Sequence, residues 1–226
     1  MLKKTEAVVL KSIKFRETSL IVKMYTEAFG IRSFIINGVR AKKSKVKASL
    51  FQPLSLLELV VYHRNTGDID RIAEVKSLIP FLNIPFDVRR SSVALFLTEI
   101  LHKTLREETP YPELFNMIVQ TVTTLDRDKE ISSDFLLTFL FRLSAYLGFG
   151  ITSLEEPVRQ LSLESEFSEE EVQKISNIIK EPSRHLKPLD ASLRRKTLQC
   201  LLDFYDKHCE SFYPLKSLKV IREVFS

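Results

Sequence analysis

Apolar and polar positions alternate along about the first eighty residues and then recur at helical spacing, so the chain changes period once. Thr5 to Lys14 alternates loosely around Val8, Val9, Leu10 and Ile13, and Ser19 to Thr26 sets Leu20, Val22 and Met24 against Ile21, Lys23 and Tyr25. Both patterns predict strands. Ala28-Phe29-Gly30 supplies a turn, Ile31 to Asn37 reads as a third strand, and Gly38 ends it before a loop, Val39 to Lys47, too charged to be core. Leu54 to Tyr62, after Pro53, and Ile69 to Leu78, after the turn Asn65-Thr66-Gly67-Asp68, complete five short antiparallel strands. With only Lys47 to Phe51 between the third and fourth, this set suits a small, partly open barrel of the OB type, with a plain five-stranded sheet as the alternative.

After Pro80 and Pro85, the spacing of Val88, Ser92, Leu95, Phe96, Glu99 and Leu101 to Leu105 predicts a helix up to about Glu108, broken by Thr109-Pro110-Tyr111-Pro112. Glu113 to Leu125 and Ser132 to Leu147 follow as amphipathic helices, the second starting at Ser132 and Ser133 with Asp134 as caps and ending at Gly148. Thr152 to Phe167 is acidic and without a clear period, which predicts a surface connection. Ser168-Glu169-Glu170-Glu171 starts a helix, the serine capping it and the carboxylates meeting the positive end of its dipole. Ser192 to His208 and Leu215 to Phe225 read as the last helices. The expected fold class is α+β, with an OB-fold barrel over residues 1–80 and an all-helical domain over residues 81–226.

Composition narrows the class. Of 226 residues 44% are hydrophobic and 28% charged, and no apolar run approaches the length of a membrane span, so a globular chain without a membrane partner is expected. Met1-Leu2-Lys3-Lys4-Thr5-Glu6 passes straight into alternation without the features of a signal peptide, which makes the cytoplasm the expected compartment. Cys200 and Cys209 match no zinc or redox spacing, so reduced thiols and no metal or other cofactor are expected. His63, His102, His185 and His208 are scattered, and neither a nucleophile elbow nor a Gly-rich phosphate loop occurs, so no catalytic site is expected.

Charge carries more. From Met1 to Lys47 twelve Lys and Arg face three Glu, a net +9, while the rest of the chain is at −4 of the overall +5. A basic front and a mildly acidic remainder imply a polyanion, most commonly nucleic acid, as partner of the first part. The densest run is Arg40-Ala41-Lys42-Lys43-Ser44-Lys45-Val46-Lys47, five cations in eight residues. Their mutual repulsion is relieved by phosphates, although a solvated loop accounts equally for the run. Alternation places Val9, Lys11 and Ile13 on one strand face, Ile21, Lys23 and Tyr25 on another, and Arg32, Phe34 and Ile36 on a third. Because a barrel interior rejects unpaired cations, these faces are expected to point outwards, with Tyr25 and Phe34 as base-stacking candidates or else core.

Several segments carry a family resemblance in order and spacing. Glu17-Thr18-Ser19-Leu20-Ile21-Val22, Tyr25-Thr26-Glu27 with Gly30, Gly38-Val39-Arg40 with Lys42-Lys43-Ser44-Lys45, and Leu50-Phe51-Gln52-Pro53-Leu54 resemble the N-terminal signature of the RecO family. The helical part is similar more loosely, through Leu97-Thr98-Glu99-Ile100-Leu101, Leu105-Arg106-Glu107-Glu108, Pro112-Glu113-Leu114-Phe115, and Phe141-Arg142-Leu143 leading to Leu147-Gly148-Phe149; the resemblance fades after Gly150. It implies an OB-fold, a helical C-terminal domain, binding to single- and double-stranded DNA, annealing of complementary strands, and work with RecR to load RecA. It implies DNA contacts at Arg40, Lys42, Lys43 and Lys45, to which charge and alternation add Lys11, Arg16, Lys23, Arg32 and Lys47. The family's helical domain also holds the acidic C-terminal tail of the single-stranded-DNA-binding protein. A cationic rim for such a tail would draw on Arg89, Arg90, Lys103, Arg106 or Arg142, which serve equally as solvated helix faces. Many relatives carry a four-cysteine zinc module after the Leu-Gly-Phe step, whereas Ile151 to Phe167 contains no cysteine, so no zinc is expected here.

The mechanism expected on this reading is electrostatic: a protein neutralising phosphates of two complementary strands lowers their repulsion and leaves the base edges free. The competing readings are a protein-interaction scaffold whose basic loop meets an acidic protein, and an RNA-binding accessory subunit.

Overall fold

The computed structural model describes residues 1–41, 46–62, 69–106, 109–180 and 189–224. Five strands, β1 (Leu2–Phe15), β2 (Ser19–Thr26), β3 (Gly30–Ile36), β4 (Leu56–Tyr62) and β5 (Ile69–Ile79), are followed by helices α1 (Val88–Thr104), α2 (Pro112–Arg127), α3 (Phe135–Tyr146), α4 (Glu155–Gln160), α5 (Glu169–Lys180), α6 (Ala191–His208) and α7 (Ser217–Val224). Two compact units result, one of residues 1–128 with the segment from Leu215, the other Lys129–Pro214. The expected turn Asn65 to Asp68, the helix end at Glu108, and His63 and His185 lie outside the described residues.

In the first unit the strands form an OB-like barrel in the order β1-β2-β3-β5-β4. Two features correct the picture of short antiparallel strands in a partly open barrel. β1 is 14 residues long and serves two partners, β4 along Leu2 to Val8 and β2 along Ala7 to Phe15, with a bulge between Val9 and Lys11 that bends the strand from one to the other. The barrel is also closed, by parallel pairing of β3 with β5 from Ser33 opposite Ile69 to Ile35 opposite Arg71. Ala7, Val9, Leu20, Val22, Met24, Phe34, Leu57, Leu59 and Val61 fill the inside. Val8 and Leu10 are buried without belonging to that inner cluster, and α1 packs against β1.

Asp126, near the end of α2, holds the chain as it leaves the barrel. Its carboxylate accepts from the amides of Leu82 (2.9 Å), Asn83 (2.9 Å) and Ile84 (2.9 Å), and Arg127 Nε lies 3.2 Å away. Burial alone would raise this carboxyl, but the amides of Ile84, Leu82 and Asn83 and the Arg127 charge outweigh it and hold the group below its ordinary value. Buried Arg90 ties the same corner, donating to the carbonyls of Leu125 and Asp128. Helix α1 then starts on Asp87, whose side chain accepts from Arg89 N and Arg90 N. Farther along α1, Glu99 accepts from Lys216 N (2.9 Å), Ser217 N (2.8 Å) and Ser217 Oγ, capping α7 from a distant part of the sequence.

In the second unit α6 packs against α3 and α4, and α5 against α3. Tyr205, fully buried, donates to Leu140 O at 2.6 Å and sits edge-on to Phe149. The expected cap at Ser168 is a reciprocal box: Glu171 N donates to Ser168 Oγ (3.2 Å) and Ser168 N to the Glu171 carboxylate (2.9 Å). Asp134 occupies the cap position of α3 without a side-chain capping bond, and accepts instead from Leu189 N (3.3 Å). Thr152 to Phe167 is not a plain surface connection, because it forms α4 and buries Leu154, Val158 and Phe167. Both cysteines are free thiols; burial, then Asp203 and Glu166, push that of Cys200 up to about 12. Among the described residues no helix is long and apolar enough to cross a membrane, and no group of three or more His, Cys, Asp or Glu is placed to hold a metal ion.

Asp126→Ala should lower the unfolding free energy at neutral pH by about 3 kcal/mol, since it removes the shared acceptor of three amides, that of Ile84 buried. Because the folded carboxyl is depressed, its contribution is complete above the ordinary value of about 3.9 and is lost as pH falls through the lower folded value. Urea midpoints of the two proteins should therefore lie well apart near neutrality and converge in acid.

Candidate nucleic-acid interface

Two turns meet at one end of the barrel. Arg40 N donates to Thr18 O (3.0 Å) and Ser19 Oγ to Asn37 Oδ1 (3.1 Å), so the turn after β3 rests on the β1–β2 hairpin. Arg16, at the tip of that hairpin, is exposed with its guanidinium 5.2 Å from the Phe15 ring centre. Its φ of 51° is the left-handed region, which costs a non-glycine residue roughly 1 kcal/mol. Arg40 and Lys47 are also exposed. Lys42, Lys43 and Lys45, between Ala41 and Val46, lie outside the described residues.

The strand faces divide differently from the alternation. Lys11 and Ile13 do face outwards, but the bulge separates them from Val9, which lies in the barrel core. Ile21, Lys23 and Tyr25 share the outer side, yet Tyr25 is covered: it is 3% exposed, its ring centre is 6.2 Å from that of Phe115 in α2, and its hydroxyl donates to Tyr111 O (3.3 Å). Arg32, Phe34 and Ile36 do share a face, and it is the inner one. Phe34 is 0% exposed inside the barrel, and Arg32, opposite Met24, is half-buried in the same series. Neither Tyr25 nor Phe34 offers a ring face for a base, and Arg32 is not an outward cation.

What the outer side does present is a cluster of positive charge. Lys11 and Lys23 are directly opposite each other across β1 and β2, where like charges repel. Lys11 Nζ lies 3.4 Å from Nε2 of His102, on the last turn of α1. Burial, then Lys11 and Arg106, hold the Lys23 ammonium below its ordinary value. Burial, then Lys23, Lys11 and Lys103, push the His102 imidazole down to about 4 against the opposing pull of Glu99. Sequence reading had Lys103 and Arg106 only as unassigned helix cations and gave His102 no role, because an isolated histidine carries no spacing signal. Arg90, considered for the rim of a peptide pocket, is instead spent inside the fold.

Two family models match the chain, Recombination protein O N terminal over residues 1–81 and Recombination protein O C terminal over residues 85–154. Among curated proteins, the DNA repair protein RecO of Bacteroides fragilis is 34% identical over 241 residues, spanning 100% of both chains. That of Flavobacterium psychrophilum is 34% identical over 236 residues, 99% of each. That of Prosthecochloris aestuarii is 34% identical over 149 residues, covering 66% of this chain and 56% of its own. The first two carry the similarity past residue 154, where the family models stop.

Two of these positions oppose stability, Lys23 through its charge and Arg16 through its backbone. Lys23→Met, which removes a desolvated ammonium facing Lys11, should stabilise the fold by about 0.5 kcal/mol, and Arg16→Gly should gain about 1 kcal/mol by relieving the left-handed residue. Thermal or urea unfolding reads the gain, and heparin binding should weaken in both. Destabilisation by either variant would show that the cation supports the fold.

Proposed function

The chain belongs to the RecO family of recombination proteins, and from that premise we propose that it is a DNA repair and recombination mediator of the bacterial cytoplasm. It binds single- and double-stranded DNA through the basic outer surface of its barrel, anneals complementary strands, and with RecR helps load RecA onto DNA coated by the single-stranded-DNA-binding protein, whose C-terminal tail it holds. The observation that carries this reading is the opposition of Lys11 to Lys23 on the outer side of the barrel. Arg16, Arg40 and Lys47 are exposed on the same unit, and Lys42, Lys43 and Lys45 add charge to it in sequence. Side chains that repel one another in water attract a backbone of phosphates strongly, and release of its counterions supplies the free energy.

Annealing follows from where the cations are. A protein that grips two strands by their phosphates neutralises the repulsion between them and leaves the pairing edges exposed. With Tyr25 and Phe34 buried, bases have no stacking platform on those rings, and sequence preference is weak. The work is done by charge and proximity, and no covalent step is required.

The test mixes two complementary oligonucleotides, one coated with the cognate single-stranded-DNA-binding protein, and follows duplex formation over a salt series. This chain should accelerate pairing, the acceleration should fade with salt, and single-strand affinity should fall with a log–log slope of about 0.7 for each phosphate neutralised. Neutralising Arg40, Lys42, Lys43 and Lys45 together should weaken binding to all sequences alike and leave the fold intact. Absence of both DNA binding and acceleration would favour a protein-interaction scaffold, and preference for RNA over DNA of the same sequence would favour an RNA-binding subunit.

A further inference from the structure

His102 is held in a state that solvent alone would not select. A lysine ammonium has hydrogens to donate and none to accept, so Nε2 of His102 is the acceptor from Lys11 and the single ring proton sits on Nδ1. Nδ1 is buried and has no hydrogen-bond partner among the described residues. The ring thus leaves a buried donor unsatisfied while its other nitrogen steadies one of two mutually repelling lysines. An apolar residue of similar size would avoid the first cost, and violations of this kind collect at functional sites.

The charges around the ring are nearly all of one sign. Lys11 comes from β1, Lys23 from β2 and Lys103 from α1 itself, while Arg106, just beyond α1, acts on Lys23. The carboxylate acting on the ring is Glu99, one turn earlier in α1, and both its oxygens are engaged by Lys216 and Ser217 at the start of α7. Among the described residues no carboxylate is bonded to Lys11, Lys23 or His102, and these three side chains converge from three elements on the place where an anion would sit.

We infer that Lys11, Lys23 and His102 form a phosphate seat on the nucleic-acid surface, and that His102 takes up a proton from solvent when a backbone phosphate fills it. As the phosphate arrives, Lys11 Nζ transfers its hydrogen bond from Nε2 to a phosphate oxygen. Nε2, released, takes one proton from solvent, keeps it, and through that N–H donates a hydrogen bond to the same phosphate; no other bond is made or broken. The phosphate charge cancels the repulsion of Lys11, Lys23 and Lys103 that keeps the ring neutral. The inference rests on the nucleic-acid reading above and adds to it a residue, a site and a proton.

Its sign is fixed by linkage. A group that binds more protons in the complex than in the free protein makes affinity rise as pH falls, by up to tenfold per pH unit, between its bound-state value and its free value of about 4, and makes affinity flat above the bound-state value. The probe is an oligothymidylate, whose bases do not titrate in weak acid, followed by fluorescence anisotropy at constant salt from slightly alkaline to weakly acidic pH. Affinity of the unaltered protein should rise on acidification, and calorimetry in two buffers of different ionisation enthalpy should report net proton uptake. His102→Gln keeps an acceptor for Lys11 but cannot be protonated, so the rise on acidification should be lost. Lys11→Met, which frees the ring before any phosphate arrives, should reduce the proton uptake independently. A flat profile for the unaltered protein, or an undiminished rise in His102→Gln, overturns the seat while leaving DNA binding in place. Failure to bind oligothymidylate at any pH overturns the nucleic-acid reading together with it.

Discussion

The first unit is organised by one buried carboxylate. Asp126 gathers the backbone amides of Leu82, Asn83 and Ile84, three consecutive groups that leave the barrel with no strand to receive them. Peptide groups in a connection of this kind must find acceptors or pay for burial, and a charged acceptor meets several at once. The direction of the chain is thereby set just before Asp87 caps α1, and α1 is laid along β1. His102, at the far end of that helix, reaches Lys11 because the corner some fifteen residues earlier is fixed. A loop free to wander there would leave the outer side of the barrel to solvent, and the charge cluster would not exist.

Like-charge clustering is tolerated because each contribution is small. A cross-strand pair of ammonium groups costs a fraction of a kcal/mol, a left-handed arginine about one, and a desolvated neutral histidine little more than its unsatisfied N–H. Set against a closed barrel whose interior is filled by Ala7, Val9, Met24, Phe34 and Leu59, these penalties are affordable. The same sum reappears as affinity for a partner that supplies the missing negative charge. Where opposite charges meet on the barrel the arrangement is different: Glu58 sits between Lys4 (2.9 Å) and Lys76 (2.7 Å) with Glu6 opposite it on β1, so two lysines face two carboxylates in an ordinary surface network.

Much of this was legible from residues one after another, and the limits have physical causes. Alternation located the first three strands, and an apolar run after Pro53 and a turn before Ile69 the other two, all to within a few residues, because period two reports extended backbone wherever one side is buried. It could not say which side: Phe34 and Arg32 share a face as expected, but closure through the parallel β3–β5 pairing turns that face inwards. A single extra residue at the β1 bulge, invisible to a loose pattern, moved Val9 off the face of Lys11. Tyr25 was lost to a helix nearly ninety residues away, and no local signal announces cover of that kind. The box at Ser168 and Glu171 was readable because both partners lie within one turn. Helix α4 was not, being six residues long with Pro157 inside it.

The position of Glu99 explains why the imidazole at the centre of the cluster stays neutral. A carboxylate one helical turn from a histidine would ordinarily hydrogen-bond the ring and favour its charged form. Here both oxygens of Glu99 are occupied by the backbone of Lys216 and Ser217 and the Ser217 hydroxyl. Its negative charge therefore acts on His102 without a direct bond and is outweighed by burial and three lysines. The start of α7 thus has two roles from one set of contacts: it completes the first unit by accepting a cap from α1, and it withholds from His102 the counter-ion that would make the ring a permanent cation. A permanent cation would bind phosphate at any pH and repel Lys11 in its absence, whereas a neutral ring steadies Lys11 and gains its charge only as the phosphate arrives. The C-terminal segment, remote in sequence from every strand, thereby contributes to the electrostatics of the barrel surface.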